Sequence, residues 1–338
     1  MSHFSEQIQI WYHNNRRDLP WRETKNPYHI WLSEVILQQT RVQQGIDYYN
    51  KFVHAFEDIK TLSNASEQEV LNLWQGLGYY SRGRNLHKAA KMVVHEFQNQ
   101  FPRIFDDIRK LPGVGNYTAA AIASFAYNLP HAVVDGNVYR VLSRYFNADE
   151  FIDTPQGQKY YQALADELLD RQNPANHNQA IMELGALVCT PKIPNCQNCP
   201  LGDTCEAKSK KTWSELPRKK GKIKVRARQL NYFVSINKQN VLLQKRGEKD
   251  IWANMFEFPL VEGDEIDSQI LKNVRFLKTL NHKLTHQNLT VNFYAVDNVD
   301  EISINHSAEW ISLDALKDYP LPRVIERFLA EEYELISR

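Results

Sequence analysis

The sequence predicts a mainly α-helical domain followed by a smaller α+β domain, and three observations carry that prediction. From residue 2 to about residue 207, apolar residues recur three and four apart, with turn signals between segments and almost no strand-like alternation. Past Gln229 the texture changes to short alternating runs such as LNYFVSI, NVLLQK and NLTVNFYAV. Between the two, residues 208–228 hold ten Lys or Arg and one acidic residue, with Pro217, Gly221 and little apolar content, the composition of a linker. At 338 residues the chain is long enough for two domains, each with its own core.

In the first half, Ile30, Trp31, Val35, Val42, Ile46, Tyr49, Phe52, Val53 and Phe56 mark one long amphipathic run, or two helices broken near Gly45. Shorter helical segments follow at about 66–75, 84–98, 117–126, 137–146, 155–170 and 176–188, and a terminal helix closes the second half at about 322–335. No internal repeat interrupts this order.

Hydrophobic residues at 43% and charged residues at 24% exclude wholesale disorder. No apolar run approaches the roughly 18 residues of a membrane span, and the first twenty residues lack the apolar core of a signal peptide, so a cytoplasmic protein is expected. A net charge of +1 makes no whole-molecule case for a nucleic-acid or membrane partner. Divided by segment, a strongly basic strap joins two mildly acidic flanks, so any attraction for phosphate is local.

All four cysteines fall in one stretch, Cys189, Cys196, Cys199 and Cys205. Disulfides stapling a chain of this size would be spread along it, and a reducing compartment disfavours them. The spacing Cys-x6-Cys-x2-Cys-x5-Cys has one tight pair, which suits a cubane iron-sulfur cluster better than a zinc knuckle with two.

Leu111-Pro112-Gly113-Val114-Gly115 joins two helical segments. Its glycines permit a tight turn whose amides point outward beside a helix N-terminus, where an anion such as a DNA phosphate is favoured; a plain helix connector is the alternative. Glu34 in WLSEVILQQT shares a helical face with Ile30 and Trp31. Partial desolvation there favours its protonated form and a general-acid role, against the reading of a solvated boundary glutamate. Asp135 follows HAVV and precedes GNVYRVLSRYF, the place of a helix N-cap, which would keep it ionised. One protonated and one anionic carboxylate is the division of labour at glycosidic bond cleavage.

Taken in order, LPGVG, VDGNVYRVLSR and the cysteine loop resemble the helix-hairpin-helix DNA glycosylases that include endonuclease III. LPWR, WLSEVILQQT and GLGYYSRGRNLHKAA narrow the resemblance to the MutY family of adenine DNA glycosylases, over about residues 10–205 and more loosely beyond. The resemblance implies a helix-hairpin-helix glycosylase region at 1–207 containing a [4Fe-4S] cluster loop at 189–205, and a MutT-like (Nudix-fold) recognition domain at 229–338. It implies a monomeric enzyme associated with nucleoid DNA, acting on double-stranded DNA that holds adenine opposite 8-oxoguanine.

Residue by residue, the resemblance makes Glu34 the acid that protonates the adenine ring, Asp135 the carboxylate that stabilises or traps the sugar cation, and Asn137 an asparagine that orders the pair. Tyr117 stands where related bifunctional enzymes carry a catalytic lysine; a phenol forms no Schiff base, so no strand cleavage by that route is expected. Trp21, Arg22, Leu37 and Gln179 match positions lining the pocket of the extruded base. Gln39 and Tyr79 match residues wedged into the stack, and Thr40 one near 8-oxoguanine. Gly113, Val114 and Gly115 are the backbone grip. In the second domain no Nudix box is present, so binding rather than hydrolysis is expected. Where the family usually has Phe-Ser-His for 8-oxoguanine, this chain has Leu284-Thr285-His286, which keeps the hydroxyl and removes a ring. An endonuclease III-like enzyme for other damaged bases and a non-enzymatic iron-sulfur DNA-binding protein are the competing functions.

Overall fold

In the computed structural model the residues described are 2–221, 225–263, 270, 272–297 and 308–336. Their helices are α1 (His3–Asn15), α2 (Pro27–Leu37), α3 (Val42–Ala55), α4 (Ile59–Asn64), α5 (Glu67–Trp74), α6 (Ser81–Glu96), α7 (Phe105–Lys110), α8 (Asn116–Tyr127), α9 (Gly136–Tyr145), α10 (Pro155–Leu168), α11 (Pro174–Leu187), α12 (Glu206–Lys210) and α13 (Arg323–Ile336). The chain divides into two compact units, Met1–Asn64 with Asn85–Gly221, and Ala65–Arg84 with Lys222–Arg338. The division departs from chain order. Residues 65–84, helical in pattern, are bound into the second unit, where Gln68 and Asn72 donate to the Asp318 carbonyl at 2.7 and 2.6 Å.

Local chemistry starts and stops the helices. Asn26 caps α2 by accepting from Tyr28 N, and Pro27 takes the first turn, where no amide hydrogen is needed. The expected break near Gly45 is not there. The helix ends at Leu37, Gln39 turns back in the left-handed region at φ 58°, and Gly45 lies inside α3 against Leu37. A turn built from Gln and Thr carries no Gly or Pro punctuation, which is why periodicity alone misplaced it.

The first unit's core forms where α1, α9, α10 and α11 turn their apolar faces together. Ile8, Tyr12, Val138, Leu142, Tyr161, Ile181 and Leu184 are all buried there. Fully burying such side chains stabilises by roughly 1.5–3 kcal/mol each, which fixes the angle at which α9 and α11 present their polar residues.

In the second unit, β1 (Arg226–Val234), β2 (Ile236–Asn237), β3 (Asn240–Lys245), β4 (Phe256–Glu257), β5 (Leu260–Glu262), β6 (Val274–Lys283), β7 (Gln287–Val296) and β8 (Ala308–Ser312) form two sheets. One has the order β5-β1-β7-β6, with β1 and β7 parallel and Leu230 opposite Val291; in the other β3 pairs with β2, β4 and β8. Phe328 of α13 stacks on Phe293 of β7 with ring centroids 3.9 Å apart. This is the helical domain plus α+β domain that the patterning predicts. The basic stretch 208–228 is more ordered than a plain linker: α12 occupies its start, Lys220 and Gly221 amides donate to Asp153 at 2.8 and 2.9 Å, and β1 begins at Arg226; its residues 222–224 lie outside the described residues.

Candidate active site

Glu34 sits on α2 with 6% of its surface exposed, and its Oε2 accepts a hydrogen bond from the Tyr117 hydroxyl at 2.7 Å. Burial pushes its carboxyl up to about 7; the Tyr117 bond opposes the rise, the neighbouring Asp135 charge adds to it and Arg22 pulls back. Tyr117 itself is pushed well above its usual 10 by burial and the nearby Glu34 and Asp135 charges, so it stays a phenol and a donor.

Asp135 occupies the N-cap position the sequence predicts. Its Oδ1 accepts from Val138 N at 2.7 Å and its Oδ2 from Asn137 Nδ2 at 2.8 Å. Burial raises this carboxyl as well, against the pull of Val138, Asn137 and Arg140. The cap bonds therefore favour the anion as expected, but desolvation works against them, and the two carboxylates differ less sharply than cap position alone suggests. Asn137 is itself held: Arg140 donates to its Oδ1 at 2.7 Å, to the Gly185 carbonyl at 2.8 Å and to the Cys189 carbonyl at 2.6 Å. A Cβ on Gly185 would lie 2.6 Å from the Asn137 Cβ, so only glycine lets α11 approach α9 at this point.

Glu34, Tyr117, Asp135 and Asn137 line one cavity of about 390 Å³ together with Trp21, Arg22, Leu37, Gln39, Thr40 and Gln179. Five stretches of chain separated by up to 158 residues in sequence converge there. Trp21 packs edge-on against Tyr49, and Gln179 Oε1 accepts from the Tyr12 hydroxyl at 2.5 Å. Sequence reasoning missed Glu183, which also lines the cavity. It is held by Arg17 Nη2 at 2.6 Å and Arg22 Nη2 at 2.8 Å. Burial opposes its ionisation, yet the hydrogen bonds from Arg17 and Arg22 win and bring the carboxyl down to about 2. Its position four residues after Gln179 on α11, hence on the same face, was the available signal.

Gly113, Val114 and Gly115 form the turn between α7 and α8 and do not line this cavity. Gly113 has φ +77°, the left-handed conformation the tight turn requires, and Gly115 caps α8 without a side chain.

Cys189, Cys196, Cys199 and Cys205 surround one small cavity beside Arg144, Gly202 and Lys208. Arg144 Nη1 approaches Cys189 Sγ at 3.4 Å, placing positive charge next to the thiols. A Cβ on Gly202 would meet the Cys196 and Cys199 carbonyl oxygens at 3.0 Å, so the loop closes tightly around the sulfurs. Among the described residues no group of three or more His, Cys, Asp or Glu side chains is arranged to hold a metal ion.

In the second unit, Tyr79, Leu284, Thr285 and His286 line a cavity of about 550 Å³ with Trp252 and His282. The Tyr79 hydroxyl is hydrogen-bonded to Thr285 Oγ1. Tyr79 has φ 48° and, like Gln39 in the first unit, holds a backbone conformation that non-glycine residues rarely adopt and that concentrates at functional sites. His282 packs its ring against Trp252. No helix among the described residues is long and apolar enough to cross a membrane.

A helical fold with a glycine hairpin and a carboxylate-bearing pocket, followed by a sheet domain, is the architecture of a helix-hairpin-helix DNA glycosylase with a Nudix-type domain. Residues 32–171 match the HhH-GPD superfamily of base excision DNA repair proteins and 231–331 a NUDIX domain. An adenine DNA glycosylase of Buchnera aphidicola subsp. Baizongia pistaciae is 36% identical over 343 residues, covering 97% of this chain and 96% of that protein. The adenine DNA glycosylase of Mus musculus is 43% identical over 213 residues, 60% of this chain and 41% of that one. Among solved structures, a thermostable thymine-DNA glycosylase superposes with a TM-score of 0.57 and 29% identity, covering 61% of this chain and 95% of that one. The chain belongs to the MutY family. It is a DNA glycosylase of base excision repair.

Proposed function

We propose that this chain removes adenine mispaired with 8-oxoguanine, and with guanine, from double-stranded DNA, as a monofunctional glycosylase that leaves an abasic site. The observation that carries the reading is the buried Glu34 carboxyl, half-protonated at about pH 7, in one cavity with the N-capping Asp135. The cavity's volume of about 390 Å³ lies within the range of small-molecule sites.

The adenine first leaves the duplex, at a cost of a few kcal/mol that a mispair lowers. Tyr117 occupies Oε2 of Glu34, so Oε1 presents the proton to a ring nitrogen of the base. The bond from C1′ to the base then breaks with its electron pair going to the adenine, and the sugar cation faces the Asp135 carboxylate, steadied by Asn137. Asp135 stabilises that cation or captures it as a short-lived ester. Water adds at C1′, and its proton returns to Glu34. Trp21, Arg22, Leu37 and Gln179 hold the extruded base. With a phenol at Tyr117 there is no amine to form a Schiff base, so the strand stays intact.

Gln39 and Tyr79 wedge the stack and Thr40 stands near the opposite base, while Thr285 and His286 read 8-oxoguanine from the second unit's cavity. Gly113, Val114 and Gly115 grip the DNA backbone. Cys189, Cys196, Cys199 and Cys205 hold a [4Fe-4S] cluster. The spacing Cys-x6-Cys-x2-Cys-x5-Cys, with one tight pair, favours a cubane cluster over a zinc knuckle with two. When bound, the cluster supplies iron-thiolate bonds that fasten the loop and a capacity for one-electron exchange. The reading places a monomeric enzyme on nucleoid DNA in the cytoplasm.

The test is a set of duplexes holding adenine opposite 8-oxoguanine, guanine or thymine. Breaks at the adenine after alkali, with the first two and not before alkali, are expected. Cutting confined to pyrimidine lesions would move the assignment to an endonuclease III-like enzyme. Undiminished excision in Glu34→Gln and Asp135→Asn would remove the catalytic roles given to these two carboxylates.

A further inference from the structure

The wall of the second unit's cavity contains a turn that its own sequence does not favour. Between β3 and β4, Trp252 has φ 57° and Asn254 φ 62°, two left-handed residues in three, and a bulky side chain such as Trp is a rare occupant of that region. Trp252 and Ile251 of this turn line the cavity beside His282, Leu284, Thr285 and His286, and the Trp252 ring packs edge-on to His282 with centroids 5.7 Å apart. A conformation of this kind persists only when its surroundings impose it.

The surroundings here are ionic. Arg228 of β1 forms a two-pronged pair with Asp250 at 2.9 and 2.8 Å and a second with Glu262 at 2.8 and 2.6 Å. Arg246, at the end of β3, donates to the same Asp250 oxygen at 2.8 Å and, through Nε, to the Ile251 carbonyl at 3.0 Å. Both guanidinium groups are buried, with side-chain exposures of 8% and 7%, and Arg246 is anchored behind by Glu257, which also accepts from the Tyr232 hydroxyl at 2.8 Å. The turn is therefore entered through a carboxylate clamped from two sides, and the planar two-pronged pairing fixes orientation as well as distance. At the far end of the turn, the Arg84 guanidinium donates to the Ala253 carbonyl at 2.7 Å and Asn254 donates to Glu67 at 2.8 Å.

We infer that Arg228 and Arg246, acting through Asp250, are positioning residues for recognition of the base opposite the adenine: they hold the strained Asp250–Asn254 turn so that Trp252 and His282 shape the cavity that Thr285 and His286 read. The inference rests on the assignment of that cavity to 8-oxoguanine proposed above. It also removes Arg228 from the pool of strap residues that meet phosphate, because its donors are spent on Asp250 and Glu262 and on Gln287 at 3.2 Å.

The experiment compares single-turnover excision of adenine opposite 8-oxoguanine and opposite guanine by the full-length chain carrying its metal centre. The variants are Arg228→Gln, Asp250→Asn, the two combined, and Thr285→Ala, with a melting midpoint recorded for each. Arg228→Gln is expected to lower the preference for 8-oxoguanine about tenfold, the worth of a charge-assisted hydrogen bond, with excision opposite guanine kept at the parent rate. The double variant is expected to lose less than the two single losses combined, because both substitutions break the Arg228–Asp250 link. If Arg228→Gln keeps the preference while Thr285→Ala loses it, the positioning role is wrong and the cavity assignment stands. An equal fall on both duplexes, tracking the melting midpoint, also overturns the role and leaves a purely structural ion pair. Should Thr285→Ala and Arg228→Gln both keep the preference, the cavity assignment fails and takes the inference with it.

Discussion

Replacing Glu34 by Gln preserves the shape of the side chain and the acceptor for Tyr117 while deleting the ionisable proton. Burial has raised this acid from 4.5 to about 7, and the rise corresponds to about 3 kcal/mol at 1.36 kcal/mol for each step of one in pKa. The sign follows from which state holds the proton. Because the folded value lies above the unfolded one, the native chain binds the proton more tightly; the stability this confers is complete below pH 4.5 and is lost as pH rises through about 7. Glu34→Gln should therefore match the parent near pH 4.5 and exceed it by up to about 3 kcal/mol near pH 8, read as urea midpoints across that range. The same variant should lose about 10²- to 10⁴-fold in single-turnover excision of adenine, the usual worth of a general acid, with duplex binding retained. In the parent, excision should decline above about pH 7 as the acid ionises. A variant no more stable than the parent at pH 8, or one keeping excision within tenfold, would refute the argument that Glu34 is a desolvated acid catalyst.

Three other outcomes follow from the same structure. His177 is buried beside Ser5, whose hydroxyl lies 2.7 Å from Nδ1, and burial lowers its pKa from 6.5 to about 4. Its contribution to stability should be complete above pH 6.5 and disappear as pH falls through 4, a slope opposite to that of Glu34 and laid bare in the Glu34→Gln background by urea melts between pH 4 and 6.5. Glu183→Gln leaves the Arg17 and Arg22 guanidinium groups without their carboxylate and should cost about 3 kcal/mol at pH 7, seen as a lower thermal midpoint; an unchanged midpoint would show that the pair contributes nothing. Cys199→Ala should remove the visible colour and the iron of the purified protein, and a colourless parent with one zinc per chain would exclude the cluster.

Much of the fold was legible because it depends on neighbours along the chain. Periodicity placed the helices, alternation placed β1, β3 and β7, and the local preference of an aspartate before an apolar helix placed Asp135 at its cap. The same local logic failed at Gln38–Arg41, where a left-handed Gln39 ends a helix without the usual glycine, and the helical pattern of residues 65–84 carries no address for the compact unit in which they pack.

The candidate site divides the same way. Short-range pattern, with the family resemblance it supports, was enough to name Glu34, Asp135, Tyr117 and the four cysteines, because each sits in a motif a few residues long. Only the folded chain showed that burial lifts Glu34 to about 7, that desolvation works against the cap of Asp135, that Glu183 is clamped by two arginines, and that Arg228 leaves the basic strap to grip Asp250. Those properties arise from groups 22 to 166 residues apart, and they vary with distance and solvent exposure, which are set by packing; residue type and spacing specify neither.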